Sequence, residues 1–367
     1  IPRFPALRRK LEAELGAEGT RLRDRFLSHM CALWDGGHYP HAVLLFTFLA
    51  RSERTDLALR VLPQIIRRKL DEGDIAGARA FCDPTRLEFS AEPTPSQRAE
   101  ITALMANGRL RAALLESSHE EAEAARGDVV AVTRSDGPQD LVGEAWIELA
   151  KHSLSRGDST VSLEEAKKSL LLFQDQRQER VSRAEAGERA SYLWLGVTML
   201  ADGKLSEAIE YIGLSERLSR ESSDPGGALI ACSHLAVALF VSGRYTQSLA
   251  AVERGVADAR SACRRESELF LLFLKARARF LLGAYQESCA TLESCLCLAQ
   301  LYSATRVMPV LRAWLGRGAL YLGELEHGLK LLTAMEPSRE SLYFLAEGHF
   351  FSDAPEDALR CLDQALA

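Results

Sequence analysis

Apolar residues in the second half of the chain recur at intervals of three and four, the spacing that gives a helix one buried stripe. The stripes break at a regular beat. Gly203, Gly243, Gly283 and Gly323 follow one another at 40-residue intervals, and other columns keep the same register. Seven residues before each glycine stands a small residue: Gly196, Ala236, Ala276 and Gly316. Three before it is a large apolar residue (Leu200, Phe240, Phe280, Leu320), and two after it come Leu205, Tyr245, Tyr285 and Leu325. Small residues return five after it (Ala208, Ser248, Ser288, Gly328) and apolar ones nine after it (Ile212, Val252, Leu292, Leu332).

Each repeat therefore predicts a helical hairpin. The small residues let the second helix approach the first, and the glycine ends the first helix in the left-handed region that Cβ disfavours. Ser206 and Thr246 are expected to cap second helices. One hairpin cannot cover its own apolar face, so neighbours must stack, which predicts an all-α chain built as an α-solenoid of antiparallel hairpins.

These columns resemble the tetratricopeptide repeat (TPR). The family's small-residue spacing reads here as Gly196/Gly203/Ala208, Ala236/Gly243/Ser248, Ala276/Gly283/Ser288 and Gly316/Gly323/Gly328. A shorter last copy reads Ala346, Phe350, Pro355, Ala358 and Leu362, with Asp353 in the glycine column. The period is 40 residues, against about 34 in the family, and the proline that usually closes a repeat is absent. Such long variants resemble the sensor arrays of bacterial signalling ATPases and maltose-activator-type transcription regulators. The resemblance implies a right-handed superhelix.

Upstream the repeat decays. Gly37 with Ala42 and Phe46, Gly73 with Ala78, and Gly108 with Ala113 mark weaker copies, with first helices expected at 24–34, 56–70 and 96–105. After Gly157 the small Ala166 falls nine residues on rather than five. Residues 126–142 carry a β-branched run and a turn signal and predict a loop; residues 174–191 are polar and predict an exposed helix end or linker. The organisation expected is irregular N-terminal hairpins over 1–125, a loop or insert over 126–142, and a TPR-like array over 143–367.

Composition narrows the function classes. With 45 basic against 51 acidic side chains, the net charge of −6 opposes a sequence-independent grip on nucleic acid. The longest apolar runs, 42–50 and 269–274, fall short of a membrane span. The chain opens Ile1-Pro2-Arg3-Phe4 without a signal-peptide pattern and reads as a piece of a longer, cytoplasmic protein. Eight cysteines (31, 82, 232, 263, 289, 295, 297 and 361) are too sparse for a disulfide scaffold and lack zinc-site spacing, so reduced, buried thiols are expected.

No phosphate loop, nucleophile elbow or paired metal-binding histidines on a helix appear. His38 and His41 flank Pro40 and read as a helix-start turn; His234 and His349 read as packing or groove residues; Glu120, Glu121 and Glu123 read as a solvated face. The expectation is a non-enzyme without cofactor or metal.

In the TPR family the groove-facing positions lie thirteen, ten, six, three and two residues before the glycine column. By this resemblance the six-before position reads Val197, Val237, Arg277, Arg317 and Glu347. The ten-before position reads Leu193, Ser233, Phe273, Ala313 and Tyr343, and the two-before position Ala201, Val241, Leu281, Tyr321 and Phe351. The partner-binding candidates are Arg277, Arg317, Phe273, Tyr321, Tyr343 and Glu347. Two guanidinium forks beside aromatics suit a carboxylate, an acidic side chain or a sugar-like ligand. Alternatively the arginines pair with Glu347 or Glu268 and hold hairpins in register. Phe240, Phe280 and Phe350 are expected to pack between repeats. Arg279 stands in a column otherwise apolar and implies either a rotated helix or a snorkelling side chain.

The leading function is a scaffold module that grips a protein or peptide partner in its concave groove. The alternative is a ligand-sensing regulatory domain of a larger signalling ATPase or transcription regulator, with a small-molecule effector. A third reading is a structural array that self-associates through its terminal helices.

Overall fold

The computed structural model describes residues 46, 49–50, 55–71, 74–83, 87, 89, 92–178, 184–334 and 336–366. The expected helix at 24–34, the Gly37 and Gly73 columns, Ala42, Cys31 and the His38/His41 pair lie outside them. The described residues form two compact units that divide between Glu188 and Arg189.

The first unit contains α1 (Thr55–Asp71), α2 (Ile75–Phe81), α3 (Pro95–Leu115), α4 (His119–Thr133), α5 (Gln139–Ser155) and α6 (Ser159–Gln178). The helix α7 (Ala184–Ala201) runs across the division. In the second unit follow α8 (Leu205–Glu221), α9 (Pro225–Val241), α10 (Tyr245–Ser261), α11 (Arg265–Leu281) and α12 (Tyr285–Leu301). A short 3-10 turn then leads to α13 (Met308–Tyr321), α14 (Leu325–Thr333), α15 (Arg339–Phe351) and α16 (Pro355–Leu366). The fold is all-α, an α-solenoid of stacked antiparallel hairpins. Within the second unit α9, α11 and α13 each pack on the next first helix as well as on their own partners.

The 40-residue beat is a double one. Helices α8 to α12 are each 17 residues long, and both helices of a hairpin end on a left-handed residue. The first helices end at Gly203, Gly243, Gly283, Gly323 and Asp353, the second at Ser223, Cys263 and Ser303. The closing hydrogen bonds are the same at both ends: Lys204 N–H donates to Met199 O at 2.9 Å, and Arg264 N–H to Ala259 O at 2.8 Å. That is the Schellman pattern. Ser206 and Thr246 are not caps, because α8 and α10 start from Lys204 and Arg244 and have no side-chain cap.

The small columns meet where the two helices of a hairpin cross. A Cβ on Gly196 would fall 2.5 Å from Ile212 Cγ1. Where serine takes the five-after position, its hydroxyl donates at 2.8 Å to the carbonyl seven before the glycine. This joins Ser248 to Ala236 and Ser288 to Ala276. Ser162 makes the same 2.8 Å bond to Ala150, so the hairpin turning at Gly157 keeps the register and Ser162, rather than Ala166, fills the small column.

Three expectations for the first unit are corrected. Residues 126–133 are the second half of α4, and only 134–138 form the turn before α5; Ala125, Val129 and Val132 are buried, so the β-branched run is a helical core stripe. The division falls at 188/189 rather than in 126–142. Gly108 does not end a helix. It sits inside α3, buried, where a Cβ would come within 2.5 Å of Cys82 Sγ, and the turn comes at the left-handed Ser117. Helix α3 starts from a capping box between Thr94 and Gln97 with Pro95 in its first turn.

The polar stretch 174–191 is not an exposed end. It belongs to α6 and α7 where described, and Gln176, Glu188 and Ser191 are buried. Among the described cysteines all are free thiols, with Cys82, Cys232 and Cys295 buried but Cys263 and Cys297 exposed. No described helix is long and apolar enough to cross a membrane.

Candidate functional site

Three columns of the first helices share one face. Positions thirteen, six and two before the left-handed residue lie within about 40° of one another around a helix that turns 100° per residue. In the second unit the outer two columns carry exposed apolar residues, with the charged Glu340 and the half-buried Tyr321 as exceptions. Ile230, Phe270 and Val310 are 51%, 47% and 39% exposed, and Val241, Leu281 and Phe351 are 56%, 43% and 42% exposed. The middle column runs from Val197 and Val237 to Arg277, Arg317 and Glu347.

Arg279 does not signal a rotated helix. It points to the far side, donating to Thr291 Oγ1 at 2.8 Å and to the Glu287 carbonyl at 3.3 Å on the second helix of its own hairpin. Arg279 therefore gives no reason to shift the register.

The two arginines interleave with aromatic rings. The Arg277 guanidinium lies 5.0 Å from the Phe240 centroid and 4.9 Å from that of Trp314, with Phe273 at 5.7 Å. Arg317 shares Trp314 at 5.3 Å and also meets Phe344 at 4.6 Å and Phe280 at 4.8 Å. Trp314 itself meets Phe344 edge to face at 5.2 Å and 76°, so the rings surround the cations without forming one parallel stack. Ring faces attract the cations.

The in-plane N–H edges differ. Arg317 donates from Nε at 2.8 Å and from Nη2 at 2.7 Å to the two oxygens of Glu347, a bidentate pair. Tyr321 contributes a 3.5 Å hydroxyl contact to the same carboxylate. Burial works against the Arg317 charge, but Glu347 more than offsets it and raises the guanidinium above the ordinary arginine value. Arg277 has no such acceptor: its Nε is out of reach of water and makes no hydrogen bond. Burial lowers it below the ordinary value, opposed by the charge of Glu340.

Beside Arg277 opens a recess of about 560 Å³, lined also by Leu281, Arg317, Arg339, Glu340, Tyr343 and the rings of Phe240, Trp314 and Phe344. Of the six candidates, Arg277, Arg317 and Tyr343 line this recess, and Phe273 lies under Arg277. Tyr321 and Glu347 brace Arg317 from outside it. Tyr321 packs against Phe280 at 4.9 Å and Phe351 at 5.3 Å. The alternative pairing is thus realised for one arginine only; Glu268 is taken by Arg260 at 2.7 Å. Of the three phenylalanines, Phe280 is buried core, Phe240 lines the recess, and Phe350 is 71% exposed and does not pack between repeats.

Sequence reasoning missed Trp314 and Phe344, which stand nine before their left-handed residues. That column also holds Trp194 and His234, ring centroids 6.1 Å apart, and its aromatic bias was the available signal. It also missed the first unit's middle column. Six before Ser117 and Gly157 stand Arg111 and Lys151, both on the fully buried Glu148: Arg111 Nε at 2.9 Å and Lys151 Nζ at 2.8 Å. Burial pushes the Glu148 carboxyl up, and the two cations overcome it and hold it well below the usual carboxylate range.

Compared with known proteins, the chain matches no family model and no curated protein. Solved structures do resemble it. RapI without ligand aligns over 84% of this chain and 85% of its own at 11% identity, TM-score 0.62. The signal-transduction ATPase with a tetratricopeptide repeat sensor from Pyrococcus horikoshii aligns over 89% of this chain and 52% of its own at 13% identity, TM-score 0.58. NprR in complex with its cognate peptide NprX aligns over 83% and 87% at 13% identity, TM-score 0.52. At such identities the likeness is one of fold. The chain is a TPR-like helical-repeat protein.

Proposed function

We propose that this chain is a non-catalytic partner-binding module and that an extended segment of a protein partner lies along the groove of its second unit. The observation that carries the reading is the repeated apolar strip. Ile230, Phe270 and Val310 in successive repeats on one side, and Val241, Leu281 and Phe351 on the other, present large exposed apolar side chains at equivalent points. Exposed apolar side chains repeated in this way mark an interaction site, and their linear order fits an extended chain. The solved structure of NprR holds its cognate peptide, which is in keeping with this reading.

A second reading is a ligand-sensing regulatory domain. It is favoured by the recess at Arg277, whose 560 Å³ falls within the range of small-molecule sites. One of the similar structures carries its repeats as the sensor of a signalling ATPase.

The test is selection of peptides from a random display library on the immobilised chain, repeated with Phe270→Ser and Leu281→Ser. Peptides selected by wild type should lose about tenfold or more on either variant, because each removes an exposed anchor without disturbing the core. If no peptide is selected, while small acids raise the melting temperature, the sensor reading replaces it.

A further inference from the structure

We infer that the recess at Trp314 is a site for a small zwitterion, a free α-amino acid with an apolar or aromatic side chain. The inference rests on the second, ligand-sensing reading above and names the chemical class of its ligand.

Trp314 holds two opposite charges apart. The Arg277 guanidinium lies over its ring, 4.9 Å from the centroid. Glu340 sits at its N–H, where Oε1 accepts the indole proton at 3.0 Å. Both residues line the recess. Glu340 acts on Arg277 through its charge, yet Arg277 Nε is out of reach of water and makes no hydrogen bond. One repeat on, Arg317 shows the opposite case, closed by both oxygens of Glu347. The charges of Arg277 and Glu340 are thus fixed on one indole without cancelling each other in a direct pair.

A molecule carrying both signs answers this arrangement. An α-amino acid bears its carboxylate and its ammonium on a single carbon, so the two groups can reach a cation and an anion held on the same ring. A simple acid would leave its charge facing Glu340, and a simple amine would meet Arg277 as a like charge. A neutral ligand would leave Arg277 desolvated and unpaired, which is costly. The remaining wall selects the side chain. Phe240, Leu281, Tyr343 and Phe344 are apolar or aromatic, and Leu281 and Tyr343 are 43% and 51% exposed. An apolar side chain gains by covering them. Arg339 is exposed at the first residue of α15, where water and salt screen its charge.

The experiment is calorimetric titration of the full chain with L-phenylalanine, L-leucine, 3-phenylpropanoate and phenethylamine. Phenylalanine or leucine should bind at least about tenfold more tightly than the acid without an ammonium or the amine without a carboxylate. These comparisons need no altered protein. Arg277→Gln should weaken the amino acid about 10- to 100-fold. Glu340→Gln keeps an acceptor for the Trp314 indole and removes only the charge. It should weaken the amino acid about tenfold and leave 3-phenylpropanoate unchanged or improved. Equal affinity for phenylalanine and 3-phenylpropanoate, untouched by Glu340→Gln, would overturn the zwitterion and leave the sensor reading standing. If none of the probes binds, the inference falls. The sensor reading falls with it only if other small acids also leave the melting temperature unchanged.

Discussion

Arg317 and Glu347, thirty residues apart in the chain, form a two-point pair at 2.8 and 2.7 Å, with side chains only 15% and 17% exposed. The pair ties α13 to α15, and the rings of Trp314, Phe344 and Phe280 pack against the guanidinium. Removing the carboxylate leaves a largely buried cation without an acceptor. Glu347→Gln should therefore lower stability by about 1–3 kcal/mol. An Arg317→Met/Glu347→Leu double variant should recover part of that loss, since it leaves no unpaired charge. Urea midpoints of the three proteins check this, and an unchanged midpoint for Glu347→Gln would show that the pair is not stabilising.

Two helical glycines should respond in opposite directions to alanine. Gly196 sits at the hairpin crossing, where a Cβ meets Ile212 Cγ1 at 2.5 Å and the Ala208 carbonyl at 3.0 Å. Gly196→Ala should cost about 1–3 kcal/mol by overpacking. Gly213 has no neighbour within 4 Å of its Cβ position, so Gly213→Ala should stabilise α8 by about 0.5–1 kcal/mol. Equal shifts of the melting temperature at both sites would refute the close-approach account.

The left-handed second-helix ends are open to improvement. Cys263 holds φ 53° and Ser223 φ 55°, a conformation that costs a residue with Cβ about 1 kcal/mol. Cys263→Gly should raise the denaturation midpoint by that amount, and Gly243→Ala, at φ 76°, should lower it comparably. A destabilising Cys263→Gly would mean that its side chain contributes more than the strain costs.

Stability should fall on mild acidification through His152. Its side chain is 3% exposed and its Nδ1 has no hydrogen bond. Burial lowers its pKa, with Glu123 working the other way. The unfolded chain then takes up the proton first, so stability is lost as pH falls through the ordinary histidine value of about 6.5. The urea midpoint of wild type should drop between pH 8 and 5 more steeply than that of His152→Gln. Parallel profiles would place the acid sensitivity elsewhere.

Much of this architecture is legible in the chain because it rests on local rules. Gly203, Gly243, Gly283 and Gly323 mark helix ends by backbone sterics alone, and Asp353 follows them into the same conformation. The small columns mark the crossings because only short side chains admit a neighbouring helix. The positions of Arg277, Arg317 and Tyr343 came from the resemblance to the tetratricopeptide repeat, laid on the glycine register, and the structure brings the three to one recess. Gly108 misled because a small residue serves close approach inside a helix as well as a turn at its end, and the local sequence does not say which. Ser223, Cys263 and Ser303 carry no compositional mark of a left-handed residue.

By itself the sequence determined the repeat and the hairpin. Those properties depend on residues within about one helical turn to one hairpin of each other. Only the tertiary structure decided that Arg317 is paired and Arg277 is not. The two share a column and a ring, and their difference lies in what the following repeat brings within 3 Å of each N–H edge. That depends on how successive hairpins translate and rotate as they stack, a sum of many packing contacts that no single column encodes.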